Sequence, residues 1–275
     1  MYYIIFFLCL LNLYSDELVV KVKSFEHVKS SKAKIVYWHE VRTKPRPLQL
    51  HTIRIDLKGA TLKFNALISK DPDGKGPAEA QLSMPWTFHK SKKILATINC
   101  NAFGAQERKD QWMRWYQGQA VTILGWAKNK ERLASKIDGN ASFWIGPKGI
   151  PHCGKATKES DAQIAISGFR EILKAGTVVT RKKDSLHPRT VVGISKDKCY
   201  VFFSVIDGRR KDSKGVTTME HAEILKAFGA WDAINLDGGG SSIMYANSGS
   251  GLIRMNKPSS TFNRPVPVML AIERK

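Results

Sequence analysis

The stretch Ala233-Ile234-Asn235-Leu236-Asp237-Gly238-Gly239-Gly240-Ser241-Ser242-Ile243-Met244 sets the reading of the whole chain. Two short, mostly apolar runs flank an acid, three glycines and two serines. Such runs bounded by turn residues read as buried strands, so strands are predicted at 233–236 and 243–245 around a loop at 237–242. Three consecutive glycines cost backbone entropy. They are tolerated where the chain takes positive φ or where a ligand approaches the backbone closely. Their N–H groups, with the hydroxyls of Ser241 and Ser242, suit an anion. Asp237 stands at the strand end beside that cradle. A tight hairpin turn is the competing explanation of the same glycines. The loop is not of the GxxxxGK[ST] type, because the lysine is missing. It is not a GxSxG elbow either, because no glycine follows the serine at the required spacing.

Working outward, Ala222, Leu225 and Phe228 recur at helical spacing and stop at Gly229, which predicts a helix over 217–228. Glu220 lies three residues after Thr217, the spacing of a capping box. The β-branched and aromatic runs at 191–194 and 200–206 read as buried strands, and 266–272 closes the chain. Toward the N-terminus, Ile53, Ile55 and Leu57 alternate with Thr52, Arg54 and Asp56, the signature of a half-buried strand. Leu62, Phe64, Ala66 and Ile68 repeat the pattern after Lys58-Gly59, which predicts a hairpin. Further strands are predicted at 94–98, running into Asn99, and at 120–124 and 142–145. With no internal repeat and no long linker, the expected fold is α+β: one domain at 48–275, with a mixed or antiparallel sheet core and few helices.

The chain has 275 residues, with 44 Lys and Arg against 24 Asp and Glu, a formal charge of +20. Such a surplus attracts polyanions. Hydrophobic residues at 43% and charged residues at 25% exclude collagen-like, coiled-coil and largely disordered chains. Residues 2–14 are almost wholly apolar, too short for the roughly 20 residues of a spanning helix and fitting the core of a secretory signal. Residues 1–15 are therefore expected to be a signal peptide, with a buried N-terminal strand as the alternative. Residues 16–47 form a basic segment with an entry strand at 35–38. Location is expected to be secreted or periplasmic. Beyond the signal, Cys100, Cys153 and Cys199 remain, so at most one disulfide forms, with Cys100–Cys153 the favoured pair. No CxxC or Cys/His ligand spacing points to zinc, and no metal or cofactor is expected.

The series from Gly215-Val216-Thr217-Thr218-Met219-Glu220 to Asp237-Gly238-Gly239-Gly240-Ser241-Ser242 resembles the hallmark of the phosphodiester glycosidase family. Ile98-Asn99-Cys100-Asn101-Ala102-Phe103, His187-Pro188-Arg189-Thr190, Asp207-Gly208-Arg209 and Arg264-Pro265-Val266 follow in the family's order. The resemblance covers roughly residues 48–272. It implies cleavage between an anomeric carbon and a phosphodiester oxygen, releasing a sugar and leaving a phosphomonoester. A phosphate leaving group is more acidic than a sugar hydroxyl, so it needs less protonation. The carboxylate burden then shifts toward nucleophile or base, and cationic clamping becomes the larger contribution. Arg189 and Arg264 are accordingly expected to grip the phosphate with the backbone of Gly239, Gly240 and Ser241. Asp237 or Glu220 serves as nucleophile or general base. Asn99, Thr190, Asp207 and Ser242 complete the candidate substrate-binding set.

Each candidate has a structural counterpart. Glu220 fits a capping box as well as catalysis, Arg189 is able to pair with a structural carboxylate, and Arg209 reads as part of a turn. His187 and His221 are candidate acid–base groups or ordinary surface or core histidines. The expected partner is a sugar-1-phosphodiester or a phosphate-rich glycan, with no nucleic acid, and no membrane after signal removal. The competing function is non-enzymatic binding of a polyanion, nucleic acid or cell-surface polymer. It rests on the +20 charge and on Trp112, Trp115 and Tyr116 interleaved with Arg108, Lys109 and Arg114.

Overall fold

Along Tyr200–Ile206, side chains of alternate residues point to opposite faces of the strand. Phe203 and Val205 join one apolar core, and Phe202 and Ile206 another. This strand lies within an eight-stranded sheet of the computed structural model, which describes residues 19–22, 31–59, 61–106, 115–158, 162–180, 184–260 and 262–275. The spatial order is Val19–Lys21, Ile35–Arg42, Leu48–Asp56, Tyr200–Ile206, Arg189–Ile194, Asp232–Asn235, Arg170–Lys174 and Thr177–Val178. The pairings of this sheet are antiparallel except Val19–Lys21 with Ile35–Arg42. A second sheet runs Leu252–Arg254, Met244–Asn247, Ile94–Asn99, Val268–Arg274 and Leu62–Ile68. Phe203, Val205, Val192 and Ile234 of the first sheet share a core with Ile98, Leu270 and Met244 of the second. Two smaller sheets, of five and three strands, extend this core through Phe143, Ile166, Val121 and Ile123.

On the other face of the first sheet lies the helix Thr218–Phe228, burying Ala222, Leu225 and Phe228 against Phe202 and Ile206. Burial of each large side chain contributes about 1.5–3 kcal/mol. Thr217 caps the helix in a full capping box with Glu220, and Gly229 ends it at φ +104°. Among the described residues there are many strands and one α-helix, of 11 residues. The molecule is therefore β-rich and mainly antiparallel, and the helical part of the α+β expectation rests on this one α-helix among the described residues.

Three local expectations give way to tertiary structure. The strands Leu48–Asp56 and Leu62–Ile68 do not form a hairpin but belong to different sheets, because Leu57 continues onto Cys199, its N–H donating to that carbonyl at 2.8 Å. Leu48–Asp56 is buried on both faces rather than one, with Ile53 and Ile55 in the inter-sheet core and Leu48 and Leu50 on the helix side. No disulfide links Cys100 to Cys153: the three described cysteines are free thiols. Cys100 lies in the inter-sheet core, and Cys153 Sγ sits 3.9 Å from the Val192 carbonyl. The apolar run at 2–14 lies outside the described residues. The two strands of the basic segment, Val19–Lys21 and Ile35–Arg42, extend the first sheet.

Candidate active site

Asp237 follows the strand Asp232–Asn235, where the chain leaves the first sheet and crosses to Met244–Asn247 of the second. The glycine loop is thus a bridge between sheets rather than a hairpin turn. Asn99 ties it down. This side chain is 1% exposed at the end of Ile94–Asn99. Its Nδ2 donates to the Asp237 carbonyl at 2.7 Å, and its Oδ1 accepts from Thr190 Oγ1 at 2.8 Å and from the Ile243 amide at 3.0 Å. Both sheets and both ends of the loop meet at this one amide. Asp207 braces the loop from behind, accepting from Asn256 Nδ2 and the Lys257 amide, while Asn256 Nδ2 also donates to the Ser242 carbonyl.

Two of the three glycine amides and the backbone amides of both serines are engaged within the fold. Gly238 N–H donates to Asp237 Oδ1 (2.9 Å), and Gly239 N–H to the Pro188 carbonyl (2.9 Å). Ser241 and Ser242 donate to the carbonyls of Gly238 and Gly239. The glycines serve close approach. A Cβ at Gly240 would lie 2.7 Å from an Arg264 nitrogen, and one at Gly239 would lie 3.2 Å from Arg209. Gly239 also has φ +59°, which favours glycine. The missing side chains therefore bring two guanidinium groups against the backbone.

The resulting cleft of about 450 Å³ is lined by Arg170, Arg189, Arg209 and Arg264, with Asp184 and Asp237 as its carboxylates. His187 and the half-exposed Phe169 also line it. Arg189 is buried and largely engaged: its guanidinium donates to the carbonyls of Val216 and Ser185 and meets Asp184 at 2.8 Å. Asp184 in turn accepts from the Thr218 amide at the helix start. Arg209 donates to His187 Nδ1 at 3.1 Å. A guanidinium has no acceptor, so Nδ1 is the bare nitrogen and the His187 proton sits on Nε2. Burial, then Arg209 and Arg189, lower the His187 pKa and keep the ring neutral.

Burial pushes the Asp237 carboxyl up to about 6, against the opposing pull of the Ser241 hydroxyl, Arg264 and the Gly238 amide. The Ser241 hydroxyl leans toward it without completing a hydrogen bond. Asp237 is thus ionised near neutrality yet easily protonated below about pH 6, the property a general base needs. Four arginines facing two carboxylates leave a positive surplus, suited to an oxyanion.

Of the residues singled out from sequence, Asp237, Arg189, Gly239 and Arg264 line this cleft. Asn99, Thr190, Asp207, Ser241 and Ser242 are buried behind it, so they position the loop rather than face the cavity. Gly240 is buried against Arg264. Glu220 points elsewhere: its carboxylate accepts from the Thr217 amide at 2.9 Å and pairs with Arg46 at 2.6 Å. Burial raises its pKa, but the Arg46 and Thr217 bonds outweigh that and hold it low. Replacing Glu220 by Gln is expected to destabilise the fold by about 1 kcal/mol and leave turnover within twofold. Thermal melts and initial rates check both. Arg170, Asp184 and Phe169 are not among the residues the sequence points to; His187, an acid–base candidate by sequence, and Arg209, which reads as part of a turn, both line the cleft. The sequence signals for these two are the resemblances at His187-Pro188-Arg189-Thr190 and Asp207-Gly208-Arg209. His221 is wholly buried on the inner face of the helix, donating or accepting at Ser204 Oγ (2.8 Å), and burial drives its pKa down to about 3.

A family model described as phosphodiester glycosidase matches residues 95–273. The chain belongs to the phosphodiester glycosidase family. The matched span contains Asn99, Arg189, Arg209, Asp237 and Arg264. A zebrafish N-acetylglucosamine-1-phosphodiester alpha-N-acetylglucosaminidase catalytic domain, auto-inhibited by its pro-peptide, is similar in structure (TM-score 0.64, 22% identity). That likeness covers 88% of this chain and 82% of that one. A hypothetical protein from Synechocystis follows, at TM-score 0.59 and 11% identity over 88% of this chain and 62% of that one. A putative exported protein from Burkholderia pseudomallei has TM-score 0.53 and 14% identity over 82% and 74%. At these identities the likeness shows the fold alone. No curated protein matches this chain by sequence. No helix among the described residues is long and apolar enough to cross a membrane.

Proposed function

We propose that the protein hydrolyses the glycosidic C–O bond of a sugar-1-phosphodiester, releasing free sugar and a phosphomonoester. One observation carries the reading: a carboxyl raised to about 6 opens on a cleft with four arginines, within a chain of this family. Asp237 acts on the sugar side, as base to the attacking water or as the nucleophile itself. The C–O bond electrons leave on the phosphate oxygen, and Arg209 and Arg264 stabilise that charge. A phosphomonoester, with a second pKa of about 6, departs without a strong general acid. Neutral His187 donates from Nε2 into the same cleft. Phe169 offers an apolar face at the rim.

Hydrolysis in oxygen-18 water is expected to label the released sugar; label in the phosphate would instead mean P–O cleavage. The rate at low substrate is expected to fall about tenfold per pH unit below pH 6, as Asp237 takes up its proton. A flat profile from pH 4 to 7 would remove Asp237 from the mechanism. Polyanion binding without turnover, untouched by changes at Asp237 or Arg189, would favour the binding-protein reading. The same proposal takes 1–15 as a signal peptide, 16–47 as a basic segment and 48–275 as the catalytic region of a secreted or periplasmic protein. N-terminal sequencing of the exported form tests this.

A further inference from the structure

A larger cavity, about 560 Å³, lies against the strand Leu62–Ile68 of the second sheet, apart from the catalytic cleft. Its cations are lysines: Lys63, Lys70, Lys90 and Lys130. Lys63 and Asn65 project from that strand, alternating with the buried Phe64 and Ala66. Lys90 follows the short 3-10 helix Pro85–Phe88, and Lys130 sits between the strands Ala127–Lys128 and Leu133–Ser135. Three separate segments therefore bring lysines to the lining of one cavity. Glu131 is the carboxylate in the lining, and Lys63 lies 3.5 Å from the buried Glu273. Lys70, Lys90 and Lys130 are exposed. Between the lysines stand the amides Asn65, Gln81, Gln117 and Asn129, with the hydroxyls of Ser83 and Thr87.

This chemistry differs from that of the catalytic cleft. Lysine is a mobile point charge without the forked geometry of arginine, so it accepts phosphate, sulfate or carboxylate in many orientations. Amides and hydroxyls both donate and accept, as sugar hydroxyls require. A nucleic-acid groove instead interleaves its charges with several stacking rings. Here the lining rings are Phe64, turned into the core, and Phe88. The two clefts are also neighbours along the chain. Arg264 lines the catalytic cleft, and Val266, two residues on, pairs with Ser83 in the wall of the lysine cavity. That is about 7 Å of extended chain.

We propose that this lysine- and amide-lined cavity binds an anionic glycan, holding a charged polysaccharide beside the catalytic cleft. The binding does not depend on the hydrolase reading, so equilibrium binding, not turnover, tests it. Wild type and the triple variant Lys70→Gln, Lys90→Gln, Lys130→Gln are titrated with dextran sulfate, neutral dextran, polyglutamate and oligothymidylate at one salt concentration. The three lysines are exposed, so the fold should hold, which a thermal melt checks. Dextran sulfate is expected to bind the triple variant at least tenfold more weakly. Its salt slope should fall by about 2 to 3, close to one counterion per lost charge. Polyglutamate and oligothymidylate, attracted by the diffuse surface charge, should change less than threefold. A double variant in the other cleft, Arg209→Ala with Arg264→Ala, should leave dextran sulfate affinity within twofold. Unchanged dextran sulfate affinity in the triple variant would overturn the proposal. So would an equal loss for all three polyanions, or a loss confined to polyglutamate, which would mark an acidic-peptide site.

Discussion

Replacing Asp237 by Asn is expected to lower sugar release by about 10³-fold or more, the scale seen when a reacting carboxylate is lost, while making the protein more stable at neutral pH. Both effects come from the same burial. The Asp237 carboxyl is raised from 3.8 to about 6 in the folded state, so the folded protein binds a proton there that the unfolded chain has released. Stability therefore declines as pH rises from about 4 to about 6, and the ionised group remains a burden above that. Asparagine mimics the protonated form in shape and charge. The gain at pH 7.5 should be on the order of 2 kcal/mol, shrinking toward nothing at pH 4. Thermal melts at the two pH values, beside initial rates, check the pair of outcomes. A variant with full turnover would remove Asp237 from the chemistry. One that loses turnover and gains no stability would mean that Asp237 is already satisfied in the resting cleft.

The second large effect is expected at Asn99. Asn99→Leu removes three buried hydrogen bonds, those to the Asp237 carbonyl, Thr190 Oγ1 and the Ile243 amide. Unsatisfied buried partners cost roughly 1–3 kcal/mol each, so a loss of about 4 kcal/mol is expected, or on the order of 10 °C in Tm. Because so large a loss tests folding more than positioning, Asn99→Asp is the companion variant. It keeps an acceptor for Thr190 and Ile243 but turns a charge toward the Asp237 carbonyl in place of a donor. At a temperature where it is fully folded by circular dichroism, its kcat should still drop at least tenfold, with KM little changed. Wild-type kcat in folded Asn99→Asp would show that the tie to Asp237 is structural only.

These two residues also mark how far the sequence could be read. Asp237 was legible because an acid between an apolar run and three glycines has little structural need, and Asp237 does open on the cleft. Asn99 was legible as a site residue, but its role was not. Whether an amide at a strand end meets solvent, substrate or main chain depends on which sheet edge lies opposite. Arg189 and Arg209 show the same limit. Sequence favoured the first as a phosphate ligand and the second as a turn residue. In the fold, Arg189 is largely engaged by Asp184 and two carbonyls, while Arg209 reaches the cleft. Glu220 presented both of its readings in sequence, and the structure places it in the helix cap with Arg46.

What the sequence determined by itself were the local elements. The strands along Arg189–Ile194, Tyr200–Ile206 and Val268–Arg274, and the helix ending at Gly229, follow from side-chain periodicity and capping, which act between near neighbours. Family membership was likewise carried by an ordered set of short motifs. Tertiary structure alone decided which strands share a sheet. It separated the expected hairpin at 52–68 and turned the glycine loop into a crossing between sheets. It alone also gathered Arg170, Asp184, Arg209 and Arg264 around Asp237. These residues are far apart in the chain and have no mutual spacing to read. Their meeting is set by inter-sheet packing and by glycines that leave room for guanidinium groups.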